Sequence, residues 1–528
     1  MNLQFGSACS GTDVYGEASS VMLKLIAGES MSSLNSRTAF TCDHATPVMK
    51  YLNQSERLNQ EDYCHFPKAE TLADEKAWCE KHRAMCTVPT DIHIYSQGFS
   101  CTAISHFHTK SKDHQATIND KSGNATVESF HAGVKYLKRT DRSLYFACLE
   151  NSDALDDQDV QQGESNLDQC GQVLLDAGFL HFAIRVNTMD YGVPQLRRRW
   201  YMGVVPRWKV EGGIPEAMSE TFMSEMQQLM EFFKDQVQDH RSLENVLLDD
   251  NDPLVTEELQ SLQATQRHVA SKKGRETCVL WPSIHIQAFS DAGFRCPAIV
   301  ETASDRLRSS VWFQALSLRA QQCVIYGEMK GALTLDCSQD IRRCRINKDH
   351  PHYIGSITPS QQVWIFSKNR LMVAAEMLAI QAVPLHEGCT STMTFKQLAH
   401  LAGNAFTGTV CAAHFLACFT KVYPVIAKMT DIERAASSHH RVSEAPGSQQ
   451  SEVIESSQES AGRNQPSMPR DQRELSGEEE PESPLDIDPE SLCPDAGYRP
   501  ASAEQYAFED SEEDAEEDYC YLDYAGLP

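Results

Sequence analysis

The pattern of apolar and polar positions divides the chain into regions of different character. Up to residue 205, short apolar runs alternate with stretches of helical spacing, beginning with a strand at residues 3–8, a turn of small residues and a helix at 14–27. Further strands are predicted at residues 38–42, 92–95, 144–149 and 182–186. This alternation predicts an α/β fold with a Rossmann-like, doubly wound, mostly parallel sheet.

The alternation fades over residues 206–350 and returns over 351–430. The middle segment mixes short apolar runs with basic residues, so we predict an inserted lobe. Between positions 216 and 239 apolar residues recur at intervals of three or four, which predicts a helix with one buried face. The main domain is therefore expected to consist of residues 1–205 and 351–430.

The last region, residues 431–528, is strongly acidic. It carries 26 Asp and Glu against 6 Lys and Arg, whereas residues 1–430 carry 48 against 41. Ser, Glu, Pro, Gln and Asp dominate, so too little apolar surface exists to offset the entropy of ordering. We predict a disordered acidic tail, whose protein partners the sequence does not name. It is either a solubilising extension or a competitor of phosphate for a basic cleft.

Charge and cysteine usage limit the possible functions. The body of the chain lacks the basic excess of proteins that bind nucleic acid mainly through phosphates, so such a site would be a local cluster. The 18 cysteines are scattered without a CxxC pair, which favours free thiols in a reducing compartment and no metal site. Without a signal peptide or a run of about 18 apolar residues, we expect an intracellular protein that is not secreted and binds no membrane.

Three blocks place chemically active side chains just beyond predicted strands. Cys101 lies in Gly-Phe-Ser-Cys-Thr-Ala-Ile-Ser, and Glu150 lies in Leu-Glu-Asn-Ser. Arg197 and Arg199 lie in Tyr-Gly-Val-Pro-Gln-Leu-Arg-Arg-Arg, at alternating positions that point the same way in an extended chain. Doubly wound sheets bind ligands at the edge where such segments meet. Taken singly, an inert buried cysteine and a helix-capping or surface glutamate are the commoner interpretations.

Taken in order, the blocks resemble the signature motifs of the cytosine-C5 DNA methyltransferase family. They are similar to its Pro-Cys loop, its Glu-Asn-Val segment and its Gln-x-Arg-x-Arg segment. Arg370 with residues 375–381 resembles the Arg…Glu…Leu-Gln helix, and residues 403–410 resemble the Gly-Asn closing segment. The resemblance covers residues 1–430, with the inserted lobe where the family has its target-recognition domain.

The resemblance implies a reaction and roles for these residues. S-adenosylmethionine would supply a methyl group to C5 of a cytosine in DNA. Cys101 would attack C6, Glu150 would hold and protonate N3, and Arg197 and Arg199 would hold O2 and the nearby backbone. A thiolate suits this addition, because C5 is a poor nucleophile until C6 is attacked. The cytosine would have to be flipped out of its duplex.

The resemblance also implies cofactor-binding residues at the first turn. An aromatic ring would pack on adenine, backbone N–H groups would lie near the methionine portion, and an acid would bind the ribose. The residues concerned are Phe5, Gly6, Gly11, Thr12, Asp43 and Asn404. Asp43 alone could equally be a turn former at a strand end.

Three segments depart from the family pattern. Ser100 stands where Pro is usual, which affects the rigidity of the Cys101 loop. Ser and Cys replace glycines in the cofactor turn Phe-Gly-Ser-Ala-Cys-Ser-Gly, where glycine lets the chain approach a ligand closely. Lys68 stands where an acid would contact adenine.

Two alternative functions stay open. Some members of this family modify tRNA with the same residues, so the motifs do not separate DNA from tRNA. A non-catalytic scaffold would also be compatible with the altered cofactor turn, but it would be expected to lose Cys101, Glu150 or the arginines. Because all of them are present, we favour an enzyme, and a DNA substrate predicts a nuclear location.

Overall fold

A computed structural model describes most of the chain up to Val442. The described residues are 2–9, 11–28, 35–104, 118, 124–140, 142–157, 163–209, 219–238, 241–272, 281–294, 303–359 and 361–442. The predicted disordered tail begins at residue 431; its residues 431–442 are helical in the structure, and the rest of the tail lies outside the described residues. The chain divides into two units, of which one contains Met1–Ile432 and the other is Glu433–Glu509. The site and the apolar clusters described below belong to Met1–Ile432.

The described residues form fifteen strands. They are β1 Asn2–Ala8, β2 Asn35–Cys42, β3 Cys64–Phe66, β4 Lys76–Cys79, β5 Ala84–Thr87, β6 Ile94–Gly98, β7 Phe146–Ser152, β8 Phe179–Asn187, β9 Gln195–Leu196, β10 Arg198–Pro206, β11 Thr334–Asp336, β12 Ile346–Asn347, β13 Ile354–Gly355, β14 Val363–Ile365 and β15 Arg370–Leu371.

The principal helices lie mainly between these strands and after them. They are α1 Val14–Ala27, α2 Thr46–Leu52, α3 Glu56–Asn59, α4 Ala125–Thr140, α5 Asn166–Asp176, α6 Ser219–Asp235, α7 Pro253–Lys272, α8 Trp281–Asp291, α9 Asp305–Ser309, α10 Val311–Gln314, α11 Leu318–Met329, α12 Ala374–Ile380, α13 Cys389–Thr392, α14 Phe395–Asn404 and α15 Gly408–Val442.

The central sheet has seven strands in the order β3-β2-β1-β6-β7-β10-β8. Neighbouring strands from β3 through β7 are parallel, whereas β10 is antiparallel to both β7 and β8. The chain thus winds outward from β1 in both directions, as a doubly wound fold does. The predicted fold class is confirmed, and the carboxyl ends of β1, β2, β6 and β7 meet at one edge.

Apolar residues cover both faces of this sheet. One cluster joins the sheet to α1, α6, α14 and α15; it includes Leu3, Phe5, Val14, Ile94, Phe146, Ile184, Met226, Leu401 and Phe415. A second cluster joins the other face to α4 and α5; it includes Ala8, Phe40, Tyr95, Phe130, Leu137, Leu149, Cys170 and Met202. Side chains on alternate strand positions therefore supply the two layers of the core.

The inserted segment has a third apolar cluster of its own. Helices α7 to α11 pack there against a four-stranded sheet in the order β12-β11-β14-β15. The cluster reaches Trp364, Leu371 and Val373. It therefore contains residues on both sides of position 350, at which the sequence-based lobe boundary was placed.

The C-terminal helices complete the core of the main domain. Within the described residues, one stretch, Phe395–Lys428, is long and apolar enough to cross a membrane by length and composition, and 56% of its most apolar window is buried inside the protein. Its buried residues include Leu401, Val410, Phe415 and Cys418, all in the first cluster. Packing against the sheet accounts for the apolar character of this stretch.

Candidate active site

The loop that carries Cys101 leaves the carboxyl end of β6 and is fixed to helix α4. The backbone N–H of Ser100 donates to the Ser129 hydroxyl at 3.1 Å, and that of Ala103 donates to the Thr126 hydroxyl at 3.1 Å. The Ser100 hydroxyl accepts a bond from the backbone N–H of Thr102 at 3.4 Å. These bonds restrain the loop around the half-buried Cys101, although the family's proline is replaced by Ser100.

Asn151 connects this loop to the neighbouring strand β7. Its side-chain amide donates to the carbonyl oxygen of Phe99 at 2.8 Å, two residues before Cys101. Asn151 is buried, so the bond is shielded from water. The Leu-Glu-Asn-Ser block did not predict this role for Asn151, because the loop that Asn151 contacts lies about 50 positions earlier in the chain.

Glu150 lies beside the same loop, because Gly98 is its register partner across β6 and β7. Its carboxylate is almost buried and lies 3.3 Å from Nε of Arg199 on β10. Burial raises the pKa of Glu150, and the positive charges of Arg199 and Arg197 oppose that rise. The site therefore favours a carboxyl group that retains a proton more readily than a glutamate in water.

Arg197 has different neighbours from Arg199. Its guanidinium donates to the carbonyl oxygens of Ile357 at 2.8 Å, Gly403 at 3.2 Å and Ala405 at 3.3 Å. Arg197 is also buried, with 4% of its surface exposed. These contacts hold the segment after β9 against the closing segment. Arg197 therefore positions the backbone around the site. The structure thus separates two arginines to which the sequence gave one role.

Three of the predicted cofactor residues come together at the ends of β1 and β2. The Gly11 N–H donates to a carboxylate oxygen of Asp43 at 3.0 Å, and the other oxygen accepts from the Ala45 N–H at 3.0 Å. Gly11 has φ +49°, and a Cβ placed there would lie 3.7 Å from the carbonyl oxygen of Asn404. Residues about 30 and 390 positions apart in the chain thus meet at the sheet edge where doubly wound folds bind nucleotides.

Thr12 adds a polar group to this turn. It is 2% exposed, and its hydroxyl has no hydrogen-bond partner within the described residues. Buried hydroxyl groups normally have a partner, so Thr12 is suited to a polar ligand. A nucleoside cofactor with a charged amino-acid portion fits this set of donors and acceptors, in which backbone N–H groups donate, the Asp43 carboxylate accepts and the Thr12 hydroxyl can do either.

Phe5 and Gly6 lie further back, inside β1. Phe5 is 5% exposed within the apolar cluster that contains Leu3, three residues before the strand ends. Gly6 packs against the ring of Phe40, on the other face of the sheet. The part that Phe5 and Gly6 take in cofactor binding stays a prediction.

Cys9, an altered residue of the cofactor turn, and Asp13, just beyond the turn, have unusual backbone conformations. Cys9 has φ 46° and Asp13 has φ 51°, both in the left-handed region that favours glycine. Burial, with the charges of Asp43 and Glu70 adding to it, raises the pKa of the Cys9 thiol to about 12. The Cys9 thiol is therefore uncharged at neutral pH. Glu70 lies two residues after Lys68, which leaves an acid close to this turn.

Arg57 contacts the residues that follow the cofactor turn. The sequence did not predict this role. Arg57 donates to the Asp13 carboxylate at 2.6 Å and lies 3.1 Å from Glu17. Asp13 begins helix α1 directly after Thr12, so this buried ion pair fixes the start of the helix. The sequence carries no local signal for the pair because its members lie 44 positions apart.

The C-terminal motifs form a buried framework behind the site. Arg370 and Glu376 make two hydrogen bonds of 2.8 and 3.0 Å, and both side chains are essentially buried. The Thr407 hydroxyl donates to the Gln381 side chain at 2.8 Å.

The closing segment packs closely against the segment before Gln361. At Gly403 an added Cβ would lie 2.2 Å from the backbone nitrogen of Pro359, so only glycine allows this close approach. These residues fix Asn404 and the closing segment against the cofactor turn.

The sheet topology and the converging edge residues define a class I methyltransferase fold, with a nucleotide-type turn at β1 and β2 beside a cysteine, a glutamate and an arginine at β6, β7 and β10. The family model for C-5 cytosine-specific DNA methylases matches residues 67–419. This chain belongs to that family, and its members use S-adenosylmethionine.

The chain is also similar to individual proteins over about four fifths of its length. DNA (cytosine-5-)-methyltransferase DMT5 of Cryptococcus neoformans is 23% identical over 439 residues, covering 79% of this chain and 17% of that protein. The chain thus spans about a sixth of the length of this relative. The Dnmt2 methyltransferase of S. pombe is 10% identical with a TM-score of 0.43, and the Entamoeba histolytica methyltransferase EhMeth is 11% identical with a TM-score of 0.39. Each covers 80% of this chain and 99% of the solved structure.

Proposed function

We propose that this protein transfers a methyl group from S-adenosylmethionine to C5 of a cytosine in DNA, through a covalent bond between Cys101 Sγ and C6 of the base. The observation that carries the proposal is the convergence of Cys101, Glu150 and Arg199 at one sheet edge. The family supports cytosine-C5 methylation, and the description of the matching model and the name of the Cryptococcus relative both specify DNA.

The proposed mechanism gives each side chain one task. Cys101, held by the Asn151 and Ser129 bonds to its loop, attacks C6 as the thiolate. Glu150 gives a proton to N3, which draws electrons from C6 and makes the addition easier. Arg199 donates to O2 of the base while its Nε faces the Glu150 carboxylate. Once C5 carries the methyl group, its proton is lost to water, Cys101 leaves C6 as the thiolate, and N3 returns its proton to the Glu150 carboxylate, which restores the aromatic ring.

Cofactor binding is assigned to the turn at the ends of β1 and β2. When bound, S-adenosylmethionine supplies the electrophilic methyl group. Asp43 would bind the ribose, and the backbone near Gly11, the Thr12 hydroxyl and Asn404 would hold the methionine portion. Phe5 would pack on the adenine, and Gly6 follows it in β1.

Substrate recognition is assigned to the inserted segment. A pocket at the sheet edge accepts a base only after it has left its duplex, so the target is an extrahelical cytosine. The segment with its own apolar cluster, α7 to α11 with β11 to β15, would position the duplex. A DNA substrate would place the enzyme in the nucleus, which localisation of the tagged full chain would test.

A methyl-transfer assay tests this function directly. Full-length protein is incubated with tritiated S-adenosylmethionine and either duplex DNA or tRNA, and a Cys101→Ser variant serves as the matched control. We expect label in DNA at C5 of cytosine, with loss of turnover in Cys101→Ser and cofactor binding retained. A cysteine to serine change removes the nucleophile but preserves the shape of the loop.

Each other result has a defined meaning. Label only in tRNA would overturn the DNA substrate and retain the chemistry. Turnover by Cys101→Ser near the wild-type rate would overturn the covalent mechanism. Cofactor binding without transfer to either nucleic acid would instead support a binding scaffold.

A further inference from the structure

A cluster of three cysteines and one histidine lies beyond the cofactor edge, around the short β4–β5 hairpin. Cys64, Cys79, His82 and Cys86 each offer one ligand atom, and these atoms all lie within 4.8 Å of one another. Cys64 begins β3, Cys79 ends β4 and Cys86 lies in β5. The hairpin thus brings a Cys-x2-His-x3-Cys sequence against a cysteine 15 positions before it.

The distances in this cluster match those of a tetrahedral metal site. Nδ1 of His82 lies 3.6 Å from Sγ of Cys64, 3.3 Å from Sγ of Cys79 and 3.4 Å from Sγ of Cys86. Zinc bonds of about 2.3 Å to sulfur and about 2.0–2.1 Å to nitrogen place neighbouring tetrahedral ligands about 3.5–3.8 Å apart. Three cysteines and one histidine are a common ligand set for structural zinc.

The surroundings of the four side chains add independent support. Nε2 of His82 lies 3.1 Å from the Asp62 carboxylate, which leaves Nδ1 as the ligand atom. A carboxylate on the second ring nitrogen is the usual partner of a metal-binding histidine. Sγ of Cys79 accepts hydrogen bonds from the backbone N–H groups of His65 at 3.3 Å and His82 at 3.4 Å, as a thiolate ligand would.

The hairpin meets the main domain through Ala77 and Cys79, which lie in the second apolar cluster, and through the Glu80 N–H, which donates to the His65 carbonyl oxygen at 2.8 Å. Among the described strands, β4 and β5 have four residues each and pair with one another alone. Two large apolar side chains of the hairpin point outward, with Trp78 44% exposed and Met85 59% exposed. An isolated two-stranded hairpin is marginally stable in water. A metal ion bound by residues from β3, β4, β5 and the turn would hold the hairpin to the main sheet.

We propose that Cys64, Cys79, His82 and Cys86 bind one structural zinc ion. The site is connected to the cofactor turn, because the His65 ring lies 3.0 Å from the carbonyl oxygen of Asp43 and the Asp43 N–H donates to Phe66 at 3.1 Å. The ion fixes β3 and thereby the strand edge that positions Asp43. No metal site was expected from the sequence, because the cysteines form no CxxC pair.

Metal content and cobalt spectroscopy test the proposal on the full chain. Protein is produced with zinc in the medium and freed of loosely bound metal. Its zinc content is then measured by inductively coupled plasma mass spectrometry. We expect about one zinc per chain. Replacement by Co²⁺ should give the visible d–d absorption of tetrahedral thiolate coordination. The metal should be lost in Cys79→Ser and Cys86→Ser but retained in Cys344→Ser, a half-buried cysteine outside the cluster.

A second variant keeps the test valid if a ligand variant fails to fold. Asp62→Asn preserves all four ligands and weakens only the bond to His82, so its zinc affinity should fall about 10–100-fold in competition with a coloured chelator. Asp74→Asn, an exposed acid in the same stretch, should leave the affinity unchanged. Removing zinc from the wild-type protein should lower its melting temperature.

Three results would overturn the proposal. The first is wild-type protein with far less than one metal ion per chain and no tetrahedral cobalt spectrum. The second is full metal content in folded Cys86→Ser. The third is a disulfide between two of these cysteines, detected by intact mass in protein that holds no zinc.

Discussion

The carboxylate of Glu150 lies 3.3 Å from Nε of Arg199, although the two residues are not backbone partners. In the β7–β10 pair, Arg199 lies opposite Ser152 and Glu150 lies opposite Tyr201. The side chains therefore meet diagonally, at the end of β7 where the Cys101 loop also lies. This contact lets one cation face both the acid and any base bound beside it.

Glu150→Gln should separate proton transfer from positioning. Glutamine preserves the shape and can donate to the base, but it cannot supply a proton, so we expect kcat to fall by about 10²–10⁴-fold. Because burial raises the pKa of Glu150, the wild-type glutamate stays protonated to a higher pH than a free one, and kcat should decline as pH rises through that pKa. Steady-state kinetics across pH would show whether the variant lacks this decline. A variant with the wild-type rate would exclude Glu150 as the acid.

Replacing the two arginines should affect different properties, folding stability for Arg197 and catalytic rate for Arg199. Arg197→Ala leaves the carbonyl groups of Ile357, Gly403 and Ala405 without their donor, so the free energy of unfolding should fall by at least about 1–3 kcal/mol. Arg199→Ala should mainly lower kcat, since a protonated Glu150 can remain buried without its cation. Urea unfolding and kinetics of both variants distinguish these effects. Equal loss of stability and activity in both would contradict the separation.

Asn151→Ala should reduce the rate without touching the nucleophile. The change removes the donor to the Phe99 carbonyl, so the Cys101 loop is less well held, and we expect kcat to fall by about 10–100-fold. KM for S-adenosylmethionine should stay unchanged, because the cofactor turn lies on other strands. In the Cys101→Ser background the same change should have no further effect. An altered KM for the cofactor with unchanged kcat would argue against this positioning role.

His414 should make stability depend on pH. Burial lowers its pKa to about 3, and its Nδ1 lies 2.8 Å from the Tyr15 hydroxyl. The unfolded chain binds a proton below about pH 6.5 that the folded chain does not bind, so stability present above that pH is lost as pH falls toward 3. The slope from this group approaches about 1.4 kcal/mol per pH unit. Free energies of unfolding measured from pH 7 to 4.5 should depend less steeply on pH in His414→Gln than in the wild-type protein. Equal slopes in the two proteins would contradict this role of His414.

Local sequence patterns were sufficient for the main elements of the fold. Helix α1 was predicted at residues 14–27 and is observed at Val14–Ala27, because its apolar spacing and flanking turns are local signals. Predicted strands agree with β1, β2, β6, β7 and β8 apart from their ends. Strand ends differ because the last hydrogen bonds of a strand depend on its neighbours in the sheet.

The site was predicted in part for the same reason. Residue types in ordered motifs identified the family and pointed to Cys101, Glu150, Arg197 and Arg199, since the proposed chemistry requires a thiol, an acid and a cation. The sequence could not distinguish Arg199 from Arg197, which lie two positions apart in one motif. Their partners come from distant segments, and these partners determine which arginine faces Glu150 and which faces the backbone of residues 357–405.

By itself, then, the sequence determined the periodicity of the elements, the doubly wound class and the chemical groups available to the site. Only the tertiary structure decided which groups meet. Gly11 contacts Asp43, Arg57 pairs with Asp13, and Cys64 joins the hairpin cysteines because the parallel sheet aligns strand ends that are far apart in the chain. Such contacts depend on through-space distances of a few ångströms, and a linear pattern carries no measure of those distances.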